Sequence, residues 1–267
     1  STGNFDFETD HSDPLFALSY DLAEHMMVYA RWSRASQSGG VNLRSRSFAG
    51  YDNEEAVSHE IGIKAETLGG RMQLSVAAFD TDYDGKLVEF LDPLDVSINE
   101  TINSGSDVSI QGFELEVLAL PSDRLSLSLS YTYLDETMPL QANPLNGDAL
   151  ERFEITQAPK HAGALSLDYD VAQWDFAKMV LHLDVSSTGQ YAYISAPGES
   201  RDAYTLVNAR FSLSGIDVGE GRAEIAVWGR NLADEEWINA SFAVPNGNVL
   251  SAYGEGRSIG VEVFYRY

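Results

Sequence analysis

No cysteine occurs among the 267 residues, and only 17 Lys and Arg stand against 41 Asp and Glu, a formal charge of −24. The first absence excludes disulfide frameworks, Cys-ligated zinc, iron–sulfur clusters and thiol catalysis. The second excludes a phosphate-binding surface, which needs an excess of cations, so no nucleic acid is expected as a partner. Also missing is any apolar run of about 18 residues, and with it a transmembrane helix. The opening Ser1-Thr-Gly-Asn-Phe-Asp-Phe-Glu8 has neither the basic nor the apolar region of a signal peptide, which points to a mature or internal start. Such absences usually describe a soluble protein. A transmembrane β-barrel lacks apolar runs too, because its strands alternate outward apolar with inward polar residues, so the periodicity has to decide.

What is present is period two almost throughout, in a chain that is 44% hydrophobic with 13 Tyr. Leu125, Leu127, Leu129, Tyr131 and Tyr133 share one face of a strand, and Ser126, Ser128, Ser130 and Thr132 share the other. The last segment repeats the scheme, with Ile259, Val261, Val263, Tyr265 and Tyr267 opposite Gly260, Glu262, Phe264 and Arg266. The pattern predicts eleven strands, near residues 14–20, 26–34, 55–67, 71–83, 107–120, 122–133, 160–169, 176–187, 203–214, 221–231 and 257–267. Their connections alternate between short (21–25, 68–70, Pro121, 170–175, 215–220) and long (35–54, 84–106, 134–159, 188–202, 232–256). Short turns at one end and long loops at the other are expected of an all-β, antiparallel transmembrane barrel and have no rationale in a soluble sandwich. Tyr20, Tyr29, Trp32, Tyr131, Tyr133, Tyr169, Tyr265 and Tyr267 lie near segment ends, where interfacial girdles belong.

The residues also carry a family resemblance. Tyr29-Ala-Arg-Trp-Ser-Arg-Ala-Ser-Gln-Ser-Gly-Gly-Val-Asn42, Ser58-His-Glu-Ile-Gly-Ile-Lys64, Ile110-Gln-Gly-Phe-Glu-Leu-Glu116, Ser130-Tyr-Thr-Tyr-Leu-Asp135, Gly229-Arg-Asn-Leu-Ala-Asp-Glu-Glu-Trp237 and Gly256-Arg-Ser-Ile-Gly260 resemble, in order and spacing, barrel segments of TonB-dependent outer-membrane receptors. Asn231, Leu232 and Asp234 match that family's Asn-Leu-x-Asp stretch, and Gly256 with Arg257 its Gly-Arg before the closing strand. Tyr265 and Tyr267 resemble the terminal signal read by the barrel assembly machinery.

The resemblance implies residence in the outer membrane of a Gram-negative bacterium, with outer-membrane lipid around the barrel. It implies uptake of a scarce small-molecule nutrient, such as a siderophore-type chelate or a saccharide. Such receptors are plugged barrels of about 22 strands, and single-chain barrels have even strand numbers. Residues 1–267 are therefore expected to be the C-terminal half of a larger barrel, its plug, first strands and TonB-contacting part lying in the missing N-terminal portion. Short turns would then be periplasmic and long loops extracellular, and Glu60, Lys64, Glu66, Glu114, Glu116, Asp168, His182, Asp184, Glu224, Arg230 and Glu262 would face the lumen.

Chemical motifs are weak by comparison. Glu114 and Glu116 share a face as a retaining glycosidase's carboxylates would, but two solvated lumen acids explain them as well. No His-Glu-x-x-His occurs, and Gly256-Arg-Ser-Ile-Gly260, although it has Gly-x-Ser-x-Gly spacing, leads into a strand where a nucleophile elbow leads into a helix, so no catalytic residue and no cofactor are expected. Asp80, Asp82 and Asp84, followed by Gly85, begin like a calcium loop, yet position 12 is Leu91 where a bidentate Glu is required. Ligand contacts are expected from cations and aromatics in the long loops: Arg44, Arg46, Phe48 and Tyr51; Tyr191, Tyr193 and Arg201; Trp237, Phe242 and Tyr253. Asp135, Glu136, Asp148, Glu151 and Glu154 read as a solvated acidic surface. A passive porin or structural barrel, and a soluble all-β lectin or glycosidase, are the competing readings.

Overall fold

A computed structural model describes residues 10–92, 94–105, 107–193, 200–244 and 248–267, so the opening octapeptide lies outside the described residues. These contain strands and no helix: β1 (Leu15–Ala23), β2 (Met26–Gln37), β3 (Gly40–Val41), β4 (Gly50–Tyr51), β5 (Glu54–Thr67), β6 (Met72–Asp84), β7 (Leu87–Leu91), β8 (Asn99–Asn103), β9 (Val108–Ser122), β10 (Leu125–Thr137), β11 (Gln141–Asn143), β12 (Ala149–Glu151), β13 (His161–Trp174), β14 (Ala177–Thr188), β15 (Tyr191–Ala192), β16 (Ser200–Arg201), β17 (Tyr204–Val218), β18 (Gly221–Arg230), β19 (Ile238–Val244), β20 (Asn248–Tyr253) and β21 (Ser258–Arg266). Eleven of them form one antiparallel sheet in sequence order, β1-β2-β5-β6-β9-β10-β13-β14-β17-β18-β21. The other ten pair as five small hairpins, one within each long loop.

All eleven predicted sheet strands are present, but several run farther than alternation alone indicated. The turns at Glu24–His25, Asp123–Arg124, Asp175–Phe176 and Gly219–Glu220 are two-residue hairpin connections. Beside each of them the register shifts, between Asp21/Ala23, Leu125/Leu127, Asp170/Ala172 and Leu213/Ile216. A bulge inserts one residue and reverses the alternation beyond it, so the pattern breaks before the strand does. Pro121 lies inside β9 at one such shift, where a missing N–H is tolerated.

Residues directly opposite across strands share a face, so the register traces two complete surfaces. One row reads Leu18, Ala30, Ile61, Ala78, Phe113 and Tyr133 across six strands. Another reads Leu127, Leu167, Leu183, Ala209, Gly229 and Ile259. On the opposite face, Met27, Lys64, Ser75, Glu116, Ser130 and Ala164 follow one another, as do Ser126, Asp168, His182, Arg210, Trp228 and Gly260. The apolar face holds four or five alternate positions per strand on most strands, roughly 20–27 Å along the chain at about 3.4 Å per residue. That is of the order of a lipid-facing band. Toward the long loops the band gives way to Arg34, His59, Asp80, Gln111, Asp135, His161, Ser187 and Thr205. Tyr29 departs from the girdle expected of it. It shares the polar face with Arg31, lies over Gly62, where a Cβ would come within 2.4 Å of its ring, and donates to Glu60 at 2.8 Å.

The apolar face is bare: Ile61 is 65% exposed and Val261 and Val263 are 68% exposed. Buried apolar side chains lie mostly in the loop layer, where Val88, Phe90 and Phe153 form a cluster. A sheet with one uncovered apolar face and one polar face is what a wall between lipid and an aqueous lumen requires.

Val261→Arg should therefore lower stability in bilayers by about 2–4 kcal/mol, whereas Ser128→Arg, on the polar face, should cost well under 1 kcal/mol. Glu262 is a poorer control than its facing alone implies, because it pairs with Arg210. Urea unfolding in lipid vesicles measures both variants, and equal costs would overturn the face assignment.

Candidate functional site

The polar wall is held by short-range ion pairs. Arg210 reaches Glu262 at 2.5 Å and Glu224 at 2.7 Å, linking three strands. The ring nitrogens of His182 meet Asp168 at 2.8 Å and Asp184 at 2.7 Å. Arg31 pairs with Glu60 at 2.5 Å and Lys178 with Asp170 at 2.8 Å. Glu114 and Glu116 point to the same side, opposite Thr132 and Ser130. Glu116 lines an open hollow of about 450 Å³ with Lys64, Glu66, Gln73 and Ser75, and Glu114 lies beside Ala77.

At the other end of the strands lie the long loops and the residues predicted to grip a ligand. Several are engaged within the protein. The Arg46 guanidinium pairs with Asp92, itself only 3% exposed. Arg201 stacks over Tyr191 and Tyr193, with 5.5 and 5.1 Å to the ring centroids, and donates to Tyr191 Oη at 2.9 Å and to the carbonyls of Asn239 and Ile238 at 3.1 and 3.3 Å. It thus ties the fourth long loop to the fifth. Trp237 stacks on Tyr204 with centroids 5.2 Å apart. Tyr51 lies against Gly40 across the β3–β4 hairpin. Phe48, Phe242 and Tyr253 are exposed, as is Arg44, which contributes its carbonyl to Asn99 N. The structure brings Tyr191, Tyr193 and Arg201 together and leaves the remaining candidates apart.

A cavity of about 650 Å³ opens between the third and fourth long loops, lined among others by Glu136, Arg152, Phe153, Glu154, Gln190 and Tyr191. Arg152 had no local pattern to single it out; it stands here because β12 ends beside it. At the cavity edge Lys160 donates to Asp135 at 2.7 Å and sits over the Tyr133 ring, which raises its pKa above the usual lysine value, the Asp135 hydrogen bond being the largest cause. Asp80, Asp82 and Asp84 belong to β6, opposite His59, Val57 and Glu55. An extended strand strings these carboxylates along a line, and no group of three or more His, Cys, Asp or Glu among the described residues is placed to hold a metal ion.

The two short matches noted in the sequence meet in space. Asn231, 4% exposed and with φ of 47°, donates through Nδ2 to the carbonyls of Glu235 and Glu255 and accepts from Glu235 N, so it pins both ends of the fifth long loop. Asp234 receives the Arg257 backbone N–H and guanidinium at 3.2 Å each. The motif is a loop-base clasp.

A wide antiparallel meander, apolar on one face, polar and ion-paired on the other, with its packed core in loops at one end, is the wall of a membrane-spanning β-barrel. The chain belongs to the TonB dependent receptor-like β-barrel family, whose pattern matches residues 1–232. It is 26% identical to the metal-pseudopaline receptor CntO of Pseudomonas aeruginosa over 95% of its own length and 33% of the relative's. It is 25% identical to the ferric-pyoverdine M114 receptor PbuA of a Pseudomonas species, over 96% of this chain and 30% of that one. The chain thus spans about a third of the length of these curated relatives. The crystal structure of the siderophore receptor PiuA from Acinetobacter baumannii superimposes with a TM-score of 0.71 at 19% identity, covering 94% of this chain and 35% of that one. The shared fold is that of the barrel.

Asn231→Ala should destabilise the fifth loop by about 3 kcal/mol, from three lost side-chain hydrogen bonds at about 1 kcal/mol each. Asn also tolerates the left-handed backbone better than Ala. Limited proteolysis between residues 235 and 255 reads this directly; cleavage at the wild-type rate would show that the clasp carries no weight.

Proposed function

We propose that the chain is the C-terminal part of the barrel of an energy-coupled outer-membrane receptor that takes up a scarce nutrient, in the first instance a metal chelate of siderophore type. The observation that carries this reading is that relatives matched along nearly the whole chain are named as receptors for metal-pseudopaline and ferric pyoverdine. In this reading the short turns face the periplasm and the long loops face outward, where the cavity beside Arg152 and Tyr191 and the exposed Arg44 and Tyr253 meet the ligand. A guanidinium and aromatic faces suit the anionic and aromatic groups of such chelates. Beyond this chain lie the plug and the segment that engages the TonB complex. Outer-membrane lipid and the barrel assembly machinery are the further partners, the latter through Tyr265 and Tyr267. The chain itself performs no covalent chemistry.

The test is uptake by a Gram-negative strain stripped of its own chelate receptors and given the full gene. Accumulation of radiolabelled iron or nickel from ferric pyoverdine, metal-pseudopaline or a related chelate is expected, and it should vanish when TonB is deleted. Entry of small hydrophilic solutes that persists without TonB would replace this reading with a passive porin. A protein that purifies monomeric and folded without detergent would replace it with a soluble carbohydrate-binding domain.

A further inference from the structure

Connecting loops ordinarily expose their backbone to water and move independently. Those at 38–53, 85–107 and 138–160 do not fit that description, because they hold most of the buried polar side chains among the described residues. Asn42, 5% exposed, joins the first long loop to the second as a backbone unit would: its Nδ2 donates to Thr101 O and its Oδ1 accepts from Thr101 N, both at 2.8 Å. Glu100, 4% exposed, reaches from the second loop into the first and accepts from Arg46 N, Ser47 N and Ser47 Oγ at 3.0, 3.1 and 2.9 Å. Asn103 accepts from Asp52 N at 2.6 Å and donates to the carbonyls of Asp52 and Gly85. The second loop is joined to the third by apolar packing, Phe90 edge-to-face on Phe153 at 4.5 Å with Ile102, Met138 and Leu145 around them. Gln141 Nε2 adds a bond to Ser104 Oγ at 3.0 Å.

We propose that these three loops form one preassembled frame, a rigid rim at the long-loop end of the sheet whose shape is set before any ligand arrives and whose parts open only together. The physical reason lies in the burial. Withdrawing the first loop would break the three bonds to Glu100, both bonds between Asn42 and Thr101 and the bonds between Asn103 and Asp52 all at once, and withdrawing the third would bare Phe90. No loop can leave alone at low cost, so the three share one opening equilibrium. This holds whichever nutrient the receptor carries. Adjustment to a ligand then falls to surfaces outside the frame.

Hydrogen exchange on the receptor in lipid nanodiscs, without ligand, tests the frame. Residues 40–53, 86–103 and 138–153 should exchange slowly and with similar protection. Glu100→Ala should accelerate all three segments together by about tenfold or more, leaving the strand amides unchanged. Phe153→Ala, at the joint between the second and third loops, should accelerate the same three segments, the first loop included. Should Glu100→Ala fail to insert, Asn103→Ala breaks the same joint and carries the same expectation. Nitroxide labels at the exposed Leu43 and Leu94 should give one narrow distance distribution. Acceleration confined to Arg46 and Ser47, wild-type loops exchanging at different rates, or a broad label distribution would each overturn the proposal.

Discussion

Main-chain hydrogen bonding between neighbouring strands is the constraint on which the rest of this structure depends. Hydrocarbon offers no water to an unpaired N–H or C=O, so a chain that crosses a bilayer in strands must keep its ladder continuous from one strand to the next. Eleven strands in strict sequence order, joined at one end mostly by two-residue turns, are the economical way to do so. The bulges beside four of those turns follow from the same requirement, adding twist where the chain reverses without opening the ladder. Register then fixes facing, because a slip of one residue would carry Val261 inward and Glu262 into lipid.

Facing in turn decides where packing energy is found. A lipid-facing side chain gains nothing from covering its neighbours, so the outward Ile, Leu and Val remain exposed, and the inward wall is held by pairs such as Arg210 with Glu224 and Glu262. What this chain has of a soluble protein's interior lies outside the membrane band, around Phe90 and Phe153 and among the satisfied carboxylates of Glu54, Asp92 and Glu100. The loop layer is a small globular structure standing on the end of a sheet.

Strands and faces were legible because both are local: each alternation of Leu with Ser or Val with Glu is read within a few residues. Strand ends were less so, since bulges at Asp21 and Asp170 reverse the alternation before pairing stops. Tyr29 was misplaced because proximity to Trp32 suggested a girdle where parity with Arg31 assigns the polar face. Of the ligand candidates, Tyr191, Tyr193 and Arg201 came together, whereas Arg46 and Trp237 are engaged in holding the loops. The five loop hairpins were not anticipated, their two- to seven-residue strands being too short for a period to show.

The amino-acid sequence by itself determined the number of sheet strands, the two faces and the alternation of short and long connections, because period two and turn chemistry act over neighbouring residues. Only the tertiary structure decided which loops lean on one another, that Asp234 meets Arg257 and that Asn42 pairs with Thr101. Those partners lie 23 and 59 residues apart, and no local pattern encodes a contact whose geometry exists only once the strands beneath the loops have been set side by side.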